Sequence, residues 1–86
     1  MLNDLLTKYI AGVERVLKQL HEVRLEGKAA EVYDLAVKYY QDAKYYAERG
    51  EHITGLVCIA YSEGLLDALR ILGYINFSWR GENHGW

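Results

Sequence analysis

Three charged side chains occur in an otherwise largely apolar stretch, residues 60–73, and are the strongest candidates for chemistry in this chain. Glu63 and Asp67 are four residues apart and Arg70 follows one turn later, so a helix places all three along one face. Two carboxylates at this spacing can act as ligands, or as acid and base when their pKa values are split. Asp42, on the preceding segment, is predicted to face them. The alternative is structural: Asp67 accepts a hydrogen bond from Arg70 or from a tyrosine of the preceding helix.

The other reactive side chains do not form a recognisable site. His52 shares a helix side with Glu63, but at 1.5 Å per residue about 16 Å separates them, too far for one metal ion. Cys58 is the single cysteine, with no basic residue placed to stabilise a thiolate, so we expect it to be inert. The sequence has no phosphate-binding loop, zinc-ligand spacing or nucleophile-elbow motif. It therefore assigns no catalytic residue, no metal ligands and no cofactor.

The composition argues against several classes of function. Ten basic and twelve acidic residues give a net charge of -2, which argues against a nucleic-acid binder that works by phosphate neutralisation. No uncharged run approaches the roughly 18 residues of a membrane span. A single cysteine fits a reducing compartment, so we expect a cytoplasmic protein. The 86 residues, 51% of them hydrophobic, predict one folded domain over 1–86.

The spacing of glycines and the absence of proline predict the elements that position these residues. Gly27, Gly50 and Gly73 are evenly spaced, and each follows a segment with helical periodicity. We predict helices over 3–24, 28–49 and 51–72, each ending near one of these glycines, and an extended aromatic tail over 74–86. Short connections between long helices favour an all-α, up-down-up three-helix bundle.

Apolar residues recur four and three apart in all three predicted helices. The predicted core stripe of the first helix is Leu2, Leu6, Tyr9, Val13, Val16, Leu20 and Val23, and that of the second is Ala29, Tyr33, Ala36, Tyr40, Ala43 and Ala47. The third helix is apolar on nearly every side, which favours an enclosed position. Its predicted main stripe is Ile53, Val57, Ala60, Gly64, Ala68 and Ile71. Gly64, in the middle of that stripe, predicts close contact with a neighbouring backbone.

The third helix has more apolar side chains than a small bundle readily covers. We expect either the tail, through Ile75, Phe77 and Trp79, or another subunit to cover the excess. Aromatic rings are also favoured in protein contacts. The candidate interface residues are Tyr39, Tyr45, Tyr46, Leu65, Leu66, Leu69, Phe77 and Trp79. These features predict a non-catalytic module that binds itself or another protein, with no nucleic-acid or membrane partner.

Residues 40–73 resemble a small archaeal family designated domain of unknown function 357. The matching residues are Tyr40, Asp42, Ala43, Tyr46 and Gly50, then the runs 59–61, 63–70 and 72–73. The resemblance implies an up-and-down three-helix bundle and an archaeal host, and no established activity. Attachment of related domains to nucleotidyltransferase-like proteins implies an accessory role. The alternative function is therefore a small-ligand- or metal-binding accessory domain, with a polar site at Glu63 and Asp67, linked to nucleotide metabolism.

Overall fold

The computed structural model describes residues 1–79, which form three helices and a short C-terminal segment. The helices are α1 (Leu2–Gln19), α2 (Gly27–Glu48) and α3 (His52–Ile71). Residues 75–78 have no regular secondary structure, and no strand occurs within 1–79. The predicted all-α three-helix bundle is confirmed. The predicted tail continues past the described residues, so 80–86 lie outside this account.

Contacts between the helices define the up-down-up order. Gly55, early in α3, lies against the backbone of Ala43, late in α2, so these two helices run in opposite directions. Gly55 also lies against the side chain of Leu6, early in α1. Because the starts of α1 and α3 are adjacent, these two helices run the same way. The most extensive contact in the bundle is between α2 and α3.

The predicted stripes of the first two helices form much of the core. Leu6, Val13, Val16 and Leu20 are buried, as are Ala29, Ala36, Tyr40 and Ala43. Leu2, at the start of α1, and Val23, beyond its end, are exposed, and the stripe residues Tyr9, Tyr33 and Ala47 are half-buried. The predicted end of this helix at residue 24 is wrong, because α1 ends at Gln19 and Gly27 begins α2 instead of terminating the helix before it. Beyond Leu20 only Val23 and Leu25 could continue the apolar stripe, too few to hold another helical turn on the core.

The orientation predicted for α3 is wrong by about half a turn. Its buried residues are Gly55, Cys58, Ile59, Ser62, Leu66 and Leu69, whereas Ile53, Val57, Ala60, Gly64, Ala68 and Ile71 are exposed. At the centre of the helix the buried side presents Ile59, Ser62 and Leu66, whereas the opposite side presents only Ala60, Gly64 and Ala68, and its larger residues Ile53, Val57 and Ile71 lie nearer the helix ends. The glycine in close contact is therefore Gly55; nothing within 1–79 lies within 4 Å of a Cβ placed on Gly64.

Glycine terminates α2 and α3 as predicted. Gly50 and Gly73 have φ values of 77° and 88°, in the left-handed region that glycine adopts without strain. After α3, the Tyr74 amide donates to the Leu69 carbonyl and the Gly73 amide to the Arg70 carbonyl. This Schellman pattern turns the chain back onto the bundle. Ile75 and Phe77 are then buried in the same cluster as Leu66 and Leu69, so the tail does cover part of the core.

Candidate functional site

Glu63 and Asp67 lie in an open cleft between α1, α3 and the C-terminal segment. The cleft has a volume of about 520 Å³, and we call it the acidic cleft. Neighbouring turns of α3 supply both carboxylates, Tyr9 comes from α1, and Trp79 comes from the segment after α3. Its lining residues are Tyr9, Leu56, Ala60, Glu63, Asp67 and Trp79. Two carboxylates in a cleft that is also lined by Tyr9 and Trp79 are suited to a ligand that offers hydrogen-bond donors or positive charge.

Glu63 is the electrostatically unusual residue of the cleft. Its Oε2 atom is buried and has no hydrogen-bond partner within residues 1–79. Burial, with a further contribution from the negative charge of Asp67, raises the pKa of Glu63 to about 7. This carboxyl therefore exchanges its proton in the neutral pH range, where an ordinary glutamate is ionised. A protonated carboxyl can donate a hydrogen bond, so Glu63 is able to act as donor or acceptor toward a bound group.

Asp67 holds the C-terminal segment against α3. Its Oδ1 accepts a hydrogen bond of 2.7 Å from Trp79 Nε1 and a longer one of 3.4 Å from Arg70 Nη2. The predicted structural role of Asp67 with Arg70 is thus present, but the aromatic donor is Trp79 and not a tyrosine of α2. A partly buried tryptophan N–H needs an acceptor, but the sequence gives no signal that Asp67 is the residue that supplies it.

Two further contacts fix the position of this segment. The Gln19 side-chain amide donates to the Ser78 carbonyl at 2.9 Å and accepts from the Ser78 amide at 3.1 Å. The Phe77 and Trp79 rings pack edge to face with their centroids 5.0 Å apart. Sequence reasoning missed Gln19, because nothing in its exposed position on α1 indicates a partner 59 residues away. One wall of the acidic cleft is therefore built by long-range contacts.

Asp42 does not belong to the acidic cleft, so its predicted place beside Glu63 is wrong. It lies near Cys58, where burial first and then the negative charge of Asp42 raise the pKa of the thiol. The half-turn rotation of α3 explains the separation, because the side of α3 that carries Cys58 packs toward α2 while Glu63 and Asp67 lie toward α1. A buried thiol with a raised pKa has little thiolate, in agreement with the inert role predicted for Cys58.

Opposite its buried side, α3 presents a continuous apolar surface. We call this surface the outer face; it consists of Ile53, Val57, Ala60, Tyr61, Gly64, Ala68 and Ile71. Ile53, Val57 and Ile71 are 68%, 63% and 72% exposed, and Tyr61 is 51% exposed. None of the seven positions is charged. The sequence analysis assigned six of these residues to the core, so it identified the stripe but not the side on which it lies.

The predicted interface residues separate into core and surface groups. Leu66 is fully buried, and Leu69 and Phe77 are also buried, so their prediction as surface contacts is wrong. They fill the space between α3 and its neighbours, which the Ala60 and Gly64 side of the helix is too small to fill. Tyr46, Leu65 and Trp79 are half-buried against the core.

The tyrosines on α2 occupy two different places. Tyr39 stacks on Tyr61 of the outer face, with ring centroids 4.5 Å apart and an angle of 18° between the rings. The outer face thereby continues onto α2. Tyr45 is exposed, as predicted, and packs edge to face on Tyr46, with the Arg49 guanidinium over its ring.

Residues 1–79 show neither a cluster of metal ligands nor a membrane-spanning helix. Within this range, no three His, Cys, Asp or Glu side chains converge closely enough to hold a metal ion. None of the three helices is both long enough and apolar enough to cross a bilayer.

Comparison with known proteins identifies a family without an established activity. A family model described as "Protein of unknown function (DUF357)" matches residues 8–75. The match includes most of α1 as well as α2 and α3, and so extends well beyond the resemblance over 40–73. No curated protein matches the chain. Because the model covers most of the sequence, the chain belongs to the DUF357 family.

Proposed function

We propose that this chain is a non-catalytic helical protein-interaction module that docks through the outer face of α3. The observation that carries the proposal is the exposure of Ile53, Val57 and Ile71 on one uncharged side of a single helix. Isolated apolar residues are ordinary on protein surfaces, whereas a contiguous exposed patch marks an interaction site. Burying each such side chain fully in a complex is worth roughly 1.5–3 kcal/mol.

The bundle itself supplies no reason for this surface to be apolar. The opposite side of α3 already closes the core through Ile59, Leu66 and Leu69. Polar residues at Val57 or Ile71 would leave that packing untouched, and they would lower the risk of aggregation. An apolar outer face is therefore better explained by a protein that covers it than by the fold.

Photocrosslinking in the native cells tests this proposal. A benzophenone amino acid replaces Val57 on the outer face, and in a second variant it replaces Tyr61. In a matched control it replaces Gln41, an exposed residue of α2. We expect a discrete covalent adduct from position 57 and none from position 41. The mass of the adduct shows whether the partner is the chain itself or another protein. The absence of any adduct from positions 57 and 61 would refute the proposal.

A second candidate function is the binding of a small ligand in the acidic cleft. The buried Oε2 of Glu63 favours it, because a buried polar atom normally has a hydrogen-bond partner, which a ligand in the cleft could supply. The ligand that fits offers hydrogen-bond donors or positive charge to the two carboxylates, such as the amino group of a nucleobase. A nucleobase agrees with the accessory role in nucleotide metabolism that the family resemblance implies.

Titration with adenosine, or with Mg²⁺ alone, followed by NMR tests this second function. Binding in the cleft predicts shifts centred on Glu63 and Trp79 that are lost in Asp67→Asn while the fold is retained. If Asp67→Asn only destabilises the protein, and neither compound shifts the cleft resonances, the acidic pair is structural.

A further inference from the structure

The outer face and the acidic cleft meet along α3. Ala60 belongs to the outer face and also lines the cleft, and Glu63 and Asp67 follow it three and seven residues later on the same side of the helix. One border of the uncharged apolar surface is therefore acidic. We propose that the outer face binds an amphipathic helix of another protein, and that an arginine on the border of this helix enters the acidic cleft. This inference rests on the proposed interaction function and names the chemistry of the partner.

The shape of the outer face fits a helix. Its middle consists of the small residues Ala60, Gly64 and Ala68, and the larger Val57 and Ile71 lie toward its ends. Nothing within residues 1–79 lies within 4 Å of a Cβ placed on Gly64. A second helix can therefore approach closely there, since the distance between packed helices depends on the side chains at the contact. From Val57 to Ile71 the face is about 21 Å long, or nearly four helical turns.

The acidic cleft offers hydrogen-bond acceptors to a cationic side chain. The Oε2 atom of Glu63 has no hydrogen-bond partner within residues 1–79. Trp79 and Arg70 both donate to Oδ1 of Asp67, so Oδ2 can accept a further hydrogen bond. Arg70 is not among the residues that line the cleft, and none of the described lining residues carries a positive charge. A cation that enters the cleft can pair with both carboxylates, and its charge favours the ionised form of Glu63.

Arginine is the side chain that fits this cleft best. Its guanidinium group donates several hydrogen bonds in a planar fork, and it also packs on aromatic rings. The cleft supplies both kinds of partner, because Tyr9 and Trp79 line it together with the two carboxylates. The aliphatic part of an arginine can lie along the apolar side chain of Leu56 while the charged end reaches the carboxylates. The seven residues of the outer face include no arginine, so we place this residue on another protein.

Selection of displayed peptides on the purified full chain tests the chemistry of the partner. The probe is a phage library of random peptides of about 16 residues, long enough for roughly four helical turns. Counter-selection uses Val57→Glu, which should fold because Val57 is 63% exposed. We expect the enriched peptides to have apolar residues three and four apart, with an arginine on one border of that stripe. Synthetic copies should bind at least tenfold more tightly than versions in which glutamate replaces the arginine.

A double variant of the chain tests whether the arginine enters the cleft. Glu63→Gln with Asp67→Asn removes the negative charge but keeps the side-chain shapes, and the asparagine retains an oxygen that can accept from Trp79. This variant should bind the arginine peptides at least tenfold more weakly. The matched control, Asp34→Asn with Glu48→Gln, removes the same charge from exposed positions of α2 and should bind as the unmodified chain does. Circular dichroism confirms that both variants fold.

Each outcome separates the partner chemistry from the broader function. Enriched peptides without arginine, or equal binding by the cleft variant and its control, would overturn the arginine in the cleft. No enrichment over Val57→Glu would overturn the helix as occupant. A photocrosslinked adduct with the mass of two chains would identify a second copy as the occupant and overturn the inference while the interaction function stands. If positions 57 and 61 both gave no adduct, the function and the inference would fall together.

Discussion

Alanine substitutions at Gly55 and Gly64 should have opposite effects on stability, although both glycines lie inside α3. At either position alanine gains about 1 kcal/mol over glycine from helix propensity. Gly64 is open, so Gly64→Ala should keep this gain. A Cβ at Gly55 would lie 2.7 Å from Leu6 Cδ2, 3.4 Å from Leu6 Cδ1 and 3.5 Å from the Ala43 carbonyl oxygen.

Steric crowding decides whether Gly55→Ala stabilises or destabilises the protein. Leu6 is fully buried, so its side chain has little room to move away from the added methyl group. Overpacking of this kind costs roughly 1–3 kcal/mol. The gain in helix propensity offsets about 1 kcal/mol of this cost. We therefore expect Gly55→Ala to lower the free energy of unfolding by at most about 2 kcal/mol, or to leave it unchanged.

Thermal and urea unfolding at low micromolar concentration, followed by circular dichroism, measures both effects in the monomer. Gly64→Ala should raise Tm by about 4–8 °C, since 1 kcal/mol corresponds to that shift in a domain of this size. Gly55→Ala should leave Tm unchanged or lower it. Equal stabilisation by the two substitutions would refute the orientation of α3 described here.

Three further predictions follow from individual contacts. Folding raises the pKa of Glu63 from its ordinary value of 4.5 to about 7. The stability that the protonated Glu63 contributes is therefore complete below about pH 4.5 and is lost as the pH rises through 7. In urea titrations between pH 5 and 8, Glu63→Gln should reduce this pH dependence of the free energy of unfolding. At pH 8 it should raise that free energy by roughly 1–2 kcal/mol, after allowance for solvent screening. The exposed control Glu48→Gln should leave the pH dependence unchanged. Ser62→Ala removes a buried 2.7 Å hydrogen bond to the Ala36 carbonyl and should cost about 1 kcal/mol in the free energy of unfolding; no loss would show that this bond contributes nothing. In a Trp86→Phe background, Asp67→Ala should shift the fluorescence of Trp79 to longer wavelength, because it removes the acceptor of the Trp79 N–H. Gln19→Ala should have the same effect, because it removes the hydrogen bonds to Ser78. Unchanged spectra would show that these contacts do not hold the C-terminal segment in place.

Much of the bundle could be predicted because local patterns agree with tertiary structure in α1 and α2. Each of these helices has one apolar stripe, so the buried side follows directly from the periodicity. The glycines after α2 and α3 were equally informative, because both take the left-handed conformation. The end of α1 was not predictable, since helical periodicity continues to Val23 while packing stops at Leu20.

The orientation of α3 could not be settled by periodicity, because both sides of this helix are apolar. Each side has three large aliphatic residues, and only their placement differs: Ile59 and Leu66 are central on the buried side, whereas Ala60, Gly64 and Ala68 are central on the exposed side and Ile53, Val57 and Ile71 lie nearer its ends. The incorrect choice also displaced the predicted interface and brought Asp42 into the wrong cluster. Glu63 and Asp67 were located correctly relative to each other, because their four-residue spacing depends on the helix alone. Trp79 was not predictable as their neighbour, since its position depends on a turn after α3 and on Gln19 of α1.

The most direct test of the outer face is a dilution series on the full chain by methyl NMR. If the outer face binds a second copy of the chain, the methyl resonances of Ile53, Val57 and Ile71 shift together with rising concentration, those of Leu66 and Leu69 in the core stay fixed, and translational diffusion slows over the same range. Outer-face resonances that stay constant up to millimolar concentration, with the diffusion of a single chain throughout, would exclude a second copy as the partner. Together with the absence of a photocrosslinked adduct at position 57, they would contradict the interaction function.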